Sequence, residues 1–450
     1  MSAVRVLGID IGTSSVKLLV TGCGAPVERS ERYGGLGFED MFAAFLRAAR
    51  ALDKAVPLES IDSAGLSGLA GSYQLFGPGG DVKAAVHWLY PGREPYLERA
   101  LADLPQDEFF EETMMEQPRL SSYPLPTILS MKDRIAPGDQ LLQPKDYFCL
   151  RLCGLAATDP YTWRGLAHPE RRGYSEKLLG YAGVSEELLP RIAERLALSP
   201  EGAHLTGLRE GTPIFVGLND FYASLLGIGA ERPGDAFDVT GTSEHFGALH
   251  GKPRRGRLIA SPFPGEMYVH YGVTGSSGVA LTWCRENFGE REPHVPKRAP
   301  VFLPYLMGER APVFDVHARG MLVGLTDQTD AEALRYSVYE GVVFSLLDIH
   351  EALGRPALHR ILATGGAANS PLLNRMKASI FGCDLMVEAL RCGSAMGAAK
   401  LAGGEWARET QVFHPETELQ GFLLSRYPVY QRLYGAWREV ARDTDTDGLF

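Results

Sequence analysis

In the first third of the chain, segments with the apolar pattern of strands alternate with a segment that has the apolar spacing of a helix. Continuous apolar runs bounded by glycine predict a β-hairpin from VRVLGIDIG and SVKLLVTG, residues 4–22. A similar pattern in IDSAGLSGLAGSYQLFG, residues 61–77, predicts one or two further strands. Between them, EDMFAAFLRAARAL, residues 39–52, has the apolar spacing of an amphipathic helix. Strands that alternate with helices in this way indicate an α/β fold.

Helical spacing dominates the middle of the chain, from about residue 98 to residue 200. The clearest helices there are predicted from QPKDYFCLRLCG, residues 143–154, and YSEKLLGYAGVSEELLPRIAERL, residues 174–196. A strand followed by a helix is then predicted from GTPIFVGLNDFYASLLG, residues 211–227. The last third adds a helix over residues 330–353, a strand in RILATGGAANS, and helices in PLLNRMKASIFG and SAMGAAKLAGG.

A weak internal repeat relates the two halves of the chain. GIDIGTSSVKLLV, from residue 8, and AFDVTGTSEHFGAL, from residue 236, both place an aspartate shortly before Gly-Thr-Ser and then return to apolar residues. Chance remains an alternative, because Gly-Thr-Ser is a common turn composition. If the repeat is real, it indicates two similar α/β domains that face each other.

Composition limits the function classes. A chain of 450 residues is long enough for two or three domains. Its net charge of −10 argues against a sequence-independent grip on nucleic acid. No apolar run approaches the roughly 20 residues that span a bilayer, and the N-terminus lacks a signal-peptide pattern. The six cysteines form no CxxC motif. We therefore expect a cytoplasmic protein that binds neither nucleic acid nor membrane.

The first glycine turn has the chemistry of a phosphate site. Backbone N–H groups of such a turn, hydroxyls at Thr13, Ser14 and Ser15, and the charge of Lys17 would together suit a phosphate. Asp10 would repel phosphate unless a cation lies between them, which suggests Mg²⁺. A plain hairpin whose aspartate caps the turn is the alternative interpretation.

Two later segments have candidate chemistry of their own. Asp220 ends an apolar strand and opens a helix, a position from which a carboxylate could act as the base for an acceptor hydroxyl. The alternative is that Asn219 or Asp220 only caps the helix. Gly365 and Gly366 form a turn that would let a ring or a phosphate approach the backbone closely. The P-loop motif GxxxxGK[ST] is absent from the sequence, which excludes that nucleotide-binding mechanism.

In their order along the chain these segments resemble the FGGY family of carbohydrate kinases, within the sugar kinase, actin and heat-shock ATPase superfamily. The resemblance covers nearly the whole chain. It rests on GIDIGTSSVK, GTPIFVGLND, DVTGTS, FLPYLMGERAPVFD with ARGMLVGL, YEGVVFSL, and ATGGAANSPLLNRMKASIFG followed by SAMGAAKLA. Each motif is soft by itself, but six or more in the order and spacing of the family form a specific signal.

The resemblance implies two ribonuclease-H-like domains, residues 1–230 and 231–450, with an active-site cleft between them. Sugar binding, the first phosphate loop and the base fall to the N-terminal domain, and the second phosphate loop and adenosine binding fall to the C-terminal domain. Asp10 matches the aspartate near Mg²⁺, and Asp220 matches the base that accepts the proton of the sugar hydroxyl. The implied ATP-binding residues are Gly12, Thr13, Ser14, Ser15, Gly241, Thr242, Gly278, Gly365, Gly366 and Asn369.

Two sugar-contact segments depart from the family pattern. Many relatives have a Gln-Met-His-Gly-like segment where this chain has GLAGSYQLF, and a Trp-x-Asp-x-Arg segment where it has HWLYPGREP. Trp88 is kept, Tyr90 replaces the aspartate, and Arg93 is displaced by one position. The candidate substrate residues are Ser72, Gln74, His87, Trp88, Tyr90, Arg93, Asp220 and Phe221.

The predicted function is an ATP- and Mg²⁺-dependent kinase that phosphorylates a primary hydroxyl of a small ketose, polyol or sugar acid. Two alternatives stay open: a non-catalytic nucleotide-binding switch of the actin or chaperone type, and a xylulokinase-like or sedoheptulokinase-like enzyme whose substrate the sequence does not identify. A homodimer is an open expectation for the oligomeric state.

Overall fold

The computed structural model describes residues 4–117, 120–241, 243–388 and 392–443. Its contacts divide the chain into two compact units. Unit 1 consists of the described residues within Met1–Gly229, Ser261–Glu266 and Leu390–Arg408, and unit 2 of those within Ala230–Ala260, Met267–Ala389 and Glu409–Phe450. Among the described residues, no helix is both long enough and apolar enough to cross a membrane.

The first half of the chain alternates strands with helices. Its strands are β1 (Val6–Ile11), β2 (Ser15–Thr21), β3 (Val27–Arg32), β4 (Ser63–Gly68), β5 (Tyr73–Phe76), β6 (Val82–Val86), β7 (Gln140–Leu142), β8 (Ala157–Thr158), β9 (Ala167–His168), β10 (Gly173–Tyr174), β11 (Arg191–Ile192), β12 (Arg195–Ala197) and β13 (Pro213–Asn219). Its helices are α1 (Phe38–Asp53), α2 (Glu94–Asp103), α3 (Gln106–Thr113), α4 (Pro124–Met131), α5 (Pro144–Cys153), α6 (Glu176–Ala182), α7 (Pro200–Thr206) and α8 (Asp220–Gly227).

The second half has fewer but longer helices. Its strands are β14 (Asp235–Thr240), β15 (Glu244–His250), β16 (Ile259–Phe263), β17 (Met267–Thr274), β18 (Val301–Leu303), β19 (Met321–Val323), β20 (Arg360–Gly365), β21 (Asp384–Glu388) and β22 (Thr410–Phe413). Its helices are α9 (Ser277–Phe288), α10 (Ala331–Ala352), α11 (Pro371–Phe381), α12 (Gly393–Leu401) and α13 (Thr417–Asp443).

The two main sheets share the order of six strands, and the second sheet has β16 in addition. In the six-stranded sheet the order is β12-β13-β4-β1-β2-β3, and in the seven-stranded sheet it is β16-β17-β15-β14-β20-β21-β22. Strand β1 pairs antiparallel with β2 and parallel with β4, while β14 pairs antiparallel with β15 and parallel with β20. The repeat in the sequence therefore reflects two equivalent hairpins, each formed by the first two strands of its sheet in chain order.

Most of the predicted elements are present, with one clear error. The predicted helix over residues 174–196 is wrong beyond Ala182. Helix α6 ends at Ala182 and is capped by Gly183, which has a left-handed φ of 68°. The chain later forms the short strands β11 and β12. Proline 190 supplies no backbone N–H to continue a helix. The sequence interpretation also missed α13, which contains Pro428.

The core of unit 1 forms between its six-stranded sheet and helix α1. This helix buries one face against the sheet, with apolar residues three or four positions apart, and has Glu39 and Asp40 in its first turn. The buried residues of that face are Phe38, Met41, Phe42, Ala44, Phe45, Ala48, Ala49 and Leu52. The predicted amphipathic helix is confirmed, and its packing supports the hairpin of β1 and β2.

Helix α12 belongs to unit 1 although it lies far along the chain. A Cβ atom on Gly8 of β1 would overlap the carbonyl oxygen of Ala395, and one on Gly65 of β4 would overlap that of Ala398. A Cβ on Gly397 would likewise overlap the carbonyl of Ala223 in α8. Backbones this close leave no room for side chains. The expected boundary at residue 230 coincides with the first passage of the chain from unit 1 to unit 2, but residues 392–408 return to unit 1.

We predict that Gly397→Ala lowers the midpoint of thermal unfolding by several degrees, because the added methyl group forces α12 away from α8. The matched control is Gly435→Ala in α13, where a Cβ meets no other atom within 4 Å. That exchange should leave the midpoint unchanged or raise it, because alanine favours helix. Equal effects of the two substitutions in calorimetry would contradict the close packing.

Candidate active site

Asp10 lies near the C-terminal end of β1, in the middle of the six-stranded sheet. It is 5% exposed, and its Oδ1 accepts a hydrogen bond of 3.2 Å from the Ser67 hydroxyl on the adjacent β4. Lys17 is its register partner on β2. Cross-strand pairing thus places a hydroxyl on one side of this carboxylate and an ammonium on the other.

The glycine turn after β1 is tight, and its hydroxyls reach the surface. The N–H of Gly12 donates to the Ser15 carbonyl at 3.0 Å, while the carbonyl of Gly12 accepts from the Tyr33 hydroxyl. Thr13 and Ser14 are exposed, and Ser15 is half-buried. The turn therefore presents hydroxyl groups to solvent three to five residues after Asp10.

Asp220 is the first residue of helix α8, and it does not cap that helix. The side chain of Asn219 is the cap, because its Oδ1 accepts from the N–H of Tyr222 at 2.9 Å. The Oδ1 of Asp220 accepts from the N–H of Phe221 at 2.8 Å. Phe221 itself is half-buried, with its ring 5.9 Å from that of Tyr222. The capping interpretation thus applies to Asn219 and leaves Asp220 for another role.

Burial raises the pKa values of the two carboxyls, and the charge of Asp220 adds to the rise at Asp10. Burial, and then the charge of Asp220, raise the pKa of Asp10 to about 7 against the opposing effects of Lys17 and Ser67. Burial raises the pKa of Asp220 to about 6, although the Phe221 N–H and the Arg164 guanidinium oppose the rise. A carboxylate with a pKa in this range can accept a proton near neutral pH.

The donor set around Asp10 fits a magnesium ion. Mg²⁺ in phosphoryl-transfer sites usually takes one or two carboxylates, with phosphate oxygens and water as its other ligands. Asp10 is a buried carboxylate that repels Asp220, so a cation would relieve the charge of both. The described residues contain no group of three or more His, Cys, Asp or Glu side chains that could form a closed metal cage.

In unit 2, the terminal residues of four adjacent strands of the seven-stranded sheet lie side by side and form a strand row. Thr240 pairs with Glu244 on one side and Gly365 on the other, and Glu244 pairs with Thr274. The turn after β14 resembles the first turn, since the Gly241 N–H donates to the Ser243 carbonyl at 2.7 Å. Thr242 lies outside the described residues. The row joins the second candidate phosphate turn to the Gly-Gly turn.

Gly365 and Gly366 lie directly against the end of β14. Gly365 has a φ of 97°, and a Cβ there would overlap the Thr240 carbonyl. The same carbonyl accepts from the N–H of Gly366 at 3.1 Å. Asn369 is exposed and donates from Nδ2 to the Gly366 carbonyl at 3.3 Å. The structure thus brings Gly241, Gly365, Gly366 and Asn369 together, as the predicted nucleotide site requires.

Gly278 lies in the first turn of α9, beside a loop that Glu309 organises. The buried carboxylate of Glu309 accepts from the hydroxyls of Thr274 and Ser276 at 2.9 and 3.0 Å, and from the N–H of Gly275 at 2.8 Å. Thr274 is also the end of the strand row, so this loop lies at the same sheet edge as Gly241. Gly278 is therefore held near the other candidate nucleotide residues of unit 2.

A buried ionic cluster supports the second turn from beneath. The Lys377 ammonium lies 2.6 Å from a carboxylate oxygen of Asp238 and 2.6 Å from one of Glu244. The Thr240 hydroxyl donates to the same Glu244 oxygen at 2.6 Å. Burial, and then Glu244, raise the pKa of Asp238. Burial is also the largest single effect at Glu244, but Lys377 and the hydrogen bonds to that carboxylate together outweigh it and hold its pKa below the usual value. One cation thus ties helix α11 to both strands of the hairpin.

The altered sugar-contact segments fold next to each other in unit 1. The Ser72 hydroxyl accepts from the N–H of Trp88 at 3.2 Å, and the buried Gln74 donates to the Leu36 carbonyl at 3.4 Å. Trp88 and Tyr90 are 39% and 52% exposed. Of these residues, Ser72 and Tyr90 line a cavity of about 390 Å³, together with His87, Leu36, Phe38, Met41, Tyr73, Ala85, Val86 and Leu89.

Arg93 is a structural centre of this region. Its guanidinium is fully buried and donates to the carbonyls of Gly71, His87 and Trp88 at 2.9–3.1 Å, and to the Thr127 hydroxyl at 3.0 Å. Burial lowers the pKa of Arg93. These contacts fix the loop that bears Trp88 and Tyr90, so the structure places Arg93 behind the candidate pocket.

Comparison with known proteins bears on the family, the fold and the enzyme class of the chain. The model of the FGGY family of carbohydrate kinases, C-terminal domain, matches residues 237–406. A xylulose kinase of Bacillus subtilis is 24% identical over 487 residues, which cover 95% of this chain and 96% of that protein. The predicted resemblance to the FGGY family of carbohydrate kinases is confirmed. The predicted α/β class with two ribonuclease-H-like domains is confirmed, as is the predicted enzyme class, a phosphotransferase with an alcohol group as acceptor.

Further relatives of this chain are named for another sugar. A gluconokinase of Bacillus subtilis is 24% identical over 447 residues, covering 88% of this chain and 86% of that protein. The crystal structure of a gluconate kinase from Lactobacillus acidophilus superposes with a TM-score of 0.84 at 22% identity, over 97% of this chain and 98% of that one. The last likeness is one of fold.

Sequence reasoning missed three side chains that the fold brings to the candidate sites. They are Ser67 beside Asp10, Lys377 beneath the second turn, and Arg164 near Asp220. Ser67 is four residues before the altered Gly71 and was visible as a polar residue in a buried strand. Lys377 and Arg164 carry no local signal, because each reaches its site only through tertiary packing.

We predict that Asp10→Asn stabilises the protein when neither nucleotide nor metal is bound. The raised pKa of about 7 means that folding costs free energy once pH exceeds the unfolded value near 4, and the cost grows until about pH 7. The substitution should therefore add about 2–4 kcal/mol to the free energy of unfolding at pH 8, and little at pH 4. Urea unfolding at both pH values measures this, with the exposed Asp133→Asn as control. A gain independent of pH would contradict it.

We also predict that Lys377→Met lowers the free energy of unfolding by about 3–5 kcal/mol, because two carboxyls stay buried without their cation. The triple variant Lys377→Met/Asp238→Asn/Glu244→Gln removes both charges and should recover much of this loss. Denaturant unfolding of the two variants is the measurement. A single variant as stable as the parent would show that the cluster contributes no net stability.

Proposed function

We propose that this FGGY protein transfers the γ-phosphate of ATP to a primary hydroxyl of a small sugar, with Asp220 as the general base. The observation that carries the proposal is the pairing of two carboxyls with raised pKa values, Asp10 and Asp220, in unit 1. Since Asn219 caps helix α8, the carboxylate of Asp220 is not needed to hold its own helix. A base in that position would align the acceptor hydroxyl and remove its proton.

The proposed nucleotide contacts follow the glycine turns of both units. In unit 1 they are Gly12, Thr13, Ser14 and Ser15, and in unit 2 they are Gly241, Thr242, Gly278, Gly365, Gly366 and Asn369. Backbone N–H groups and hydroxyls of this kind stabilise charge on phosphate oxygens. Asp10 would hold Mg²⁺, which neutralises phosphate charge when bound. This proposal is supported by the strand row that joins Gly241 to the Gly365–Gly366 turn.

The acceptor is proposed to bind near the altered segments, with Ser72, His87, Trp88, Tyr90 and Phe221 as contacts. Gln74 and Arg93 would act there by holding the pocket walls, given their contacts with backbone carbonyls. The names of the relatives include both a neutral ketose, xylulose, and a sugar acid, gluconate. Two substrate classes are therefore open at this stage.

Substitution of Asp220 tests its proposed role as the base. Asp220→Asn should lower kcat about 10²- to 10⁴-fold on the true substrate, since an amide cannot accept the proton. Affinity for ATP, measured by calorimetry, should change little. Asp133→Asn is again the control, because Asp133 is exposed and lies outside the candidate site.

Release of ADP over a panel of ketoses, polyols and sugar acids tests the function itself. Stimulation by at least one sugar is expected. Saturable ATP binding without stimulation by any sugar would favour the nucleotide-binding switch, and near-normal turnover by Asp220→Asn would mean that another group is the base.

A cytoplasmic location and a homodimeric state remain predictions from the sequence. The six cysteines are free thiols.

A further inference from the structure

Two histidines of unit 2 lie side by side on one face of the seven-stranded sheet. His250 ends β15 and His270 lies in β17, and the register pairs His250 with Tyr268 and Ala248 with His270. The two side chains are therefore diagonal neighbours on the same face, and their ring centres are 6.1 Å apart. Both are buried, with exposed fractions of 8% and 2%. We call His250 and His270 the histidine pair.

The protein leaves ring nitrogens of the histidine pair without partners. In the described part of the chain, Nε2 of His250 and both ring nitrogens of His270 are buried and accept or donate no hydrogen bond. Burial is the main cause that lowers the pKa of both imidazoles to about 4, and the charge of Arg254 adds to it. Each ring is therefore neutral near pH 7 and has one N–H to donate. Since buried polar groups are normally hydrogen-bonded, the pair has the chemistry of a binding site.

A strongly basic loop follows His250 along the chain and joins β15 to β16. Its four basic residues are Lys252, Arg254, Arg255 and Arg257, and all of them are exposed. Residues 245–265 contain no Asp or Glu, although the whole chain has a net charge of −10. The buried Leu258 anchors the end of the loop in the apolar core. The loop is thus a local concentration of positive charge that attracts anions.

The basic loop faces the histidine pair. A Cβ on Gly256 would lie 3.9 Å from both Cε1 and Nε2 of His270, so the loop backbone passes close to one of the unbonded nitrogens. The charge of Arg254 acts on both imidazoles, which places its guanidinium near the pair. No carboxylate of the described residues forms an ion pair with Arg254. The buried N–H groups and an exposed cation therefore meet at one place.

The charge at this place favours an anion over a metal ion. Arg254 would repel a cation, and the described residues contain no group of three or more His, Cys, Asp or Glu side chains that could hold a metal ion. Imidazole N–H and guanidinium groups are instead good donors to phosphate oxygens. A phosphate group has several strong acceptor oxygens, so it can accept from both histidines and from Arg254 at once.

The histidine pair lies away from the candidate nucleotide turn of unit 2. Glu244 begins β15 in the strand row, and His250 follows six residues later, which is about 20 Å along an extended strand. His270 precedes Thr274, the strand-row residue of β17, by four residues, or about 13 Å. A ligand of the histidine pair would therefore not compete for the Gly241 turn.

We propose that the histidine pair and the basic loop bind a phosphate group, carried either by inorganic phosphate or by a phosphorylated small molecule. The two imidazoles supply buried N–H donors, and Arg254 supplies the charge at the mouth of the site. This site goes beyond the proposed function, because it lies apart from the candidate nucleotide residues and requires no phosphoryl transfer.

Calorimetric titration of the full chain tests the site. Inorganic phosphate and glycerol 3-phosphate are titrated separately, with the glycine turns saturated by a non-hydrolysable ATP analogue and Mg²⁺. Saturable binding of at least one of them is expected. Arg254→Met and His270→Phe should each weaken it about 10- to 100-fold, since each removes a hydrogen bond to a charged group.

Two control variants match these substitutions in residue type. Arg432→Met removes an exposed arginine from α13, and His350→Phe removes a half-buried histidine from α10. Both should leave the affinity for phosphate unchanged. Thermal unfolding shows whether His270→Phe is folded; if it is not, His250→Phe takes its place, while the exposed Arg254 can be replaced without disturbing the core.

The outcomes separate a built site from general attraction to a basic loop. Equal affinities for the two ligands would identify free phosphate as the ligand, and tighter binding of glycerol 3-phosphate would identify a phosphorylated molecule. Absence of saturable binding would overturn the proposal and leave water as the partner of the imidazoles. Weakening by Arg254→Met but not by the histidine variants would also overturn it. Failure of the kinase assays would leave this test unaffected.

Discussion

The arrangement of unit 1 depends on the contact of helix α12 with β1, β4 and α8. Glycines on both sides of this contact let backbone meet backbone, so the helix cannot shift without a clash. Strand β1 carries Asp10, β4 carries Ser67, and α8 begins with Asp220. One helix from the far end of the chain thus fixes the three elements whose ends bear the candidate acid–base chemistry.

The same region of unit 1 buries the carboxyls of Asp10 and Asp220, and this burial lowers the stability of the fold when they are charged. Asp10 has one side-chain hydroxyl and one nearby ammonium to oppose burial and the repulsion of Asp220. A buried acid with a pKa near neutrality is destabilising when charged. Tight packing around it offsets that penalty and keeps the carboxylate from escaping to solvent. Buried charges of this kind are common at functional sites, where a bound cation or substrate compensates the charge.

The sequence was informative where the relevant interactions are local. The hairpin of β1 and β2, the helix α1 and the strand-to-helix passage at Asp220 each follow from short patterns, and the structure has them. The boundary drawn at residue 230 could not anticipate that residues 392–408 pack in unit 1, because glycine spacing in GSAMGAAKL does not say which backbone it meets. Arg164 was equally hidden, since its neighbours Tyr123 and Tyr222 are 41 and 58 residues away.

The two equivalent hairpins differ in how the charges of nearby carboxyls are compensated. In unit 2 the carboxyls of Asp238 and Glu244 share Lys377, so the charge beneath that turn is compensated within the protein. In unit 1, Asp10 instead accepts from the Ser67 hydroxyl, and Asp220 accepts from the Phe221 N–H. A compensated cluster makes a firm support for a binding turn, whereas a carboxyl pair with raised pKa values retains the capacity to take a proton and a metal ion. Lys377 thus compensates the charge beneath the turn of unit 2, whereas Asp10 and Asp220 of unit 1 are the candidate metal-binding and acid–base groups.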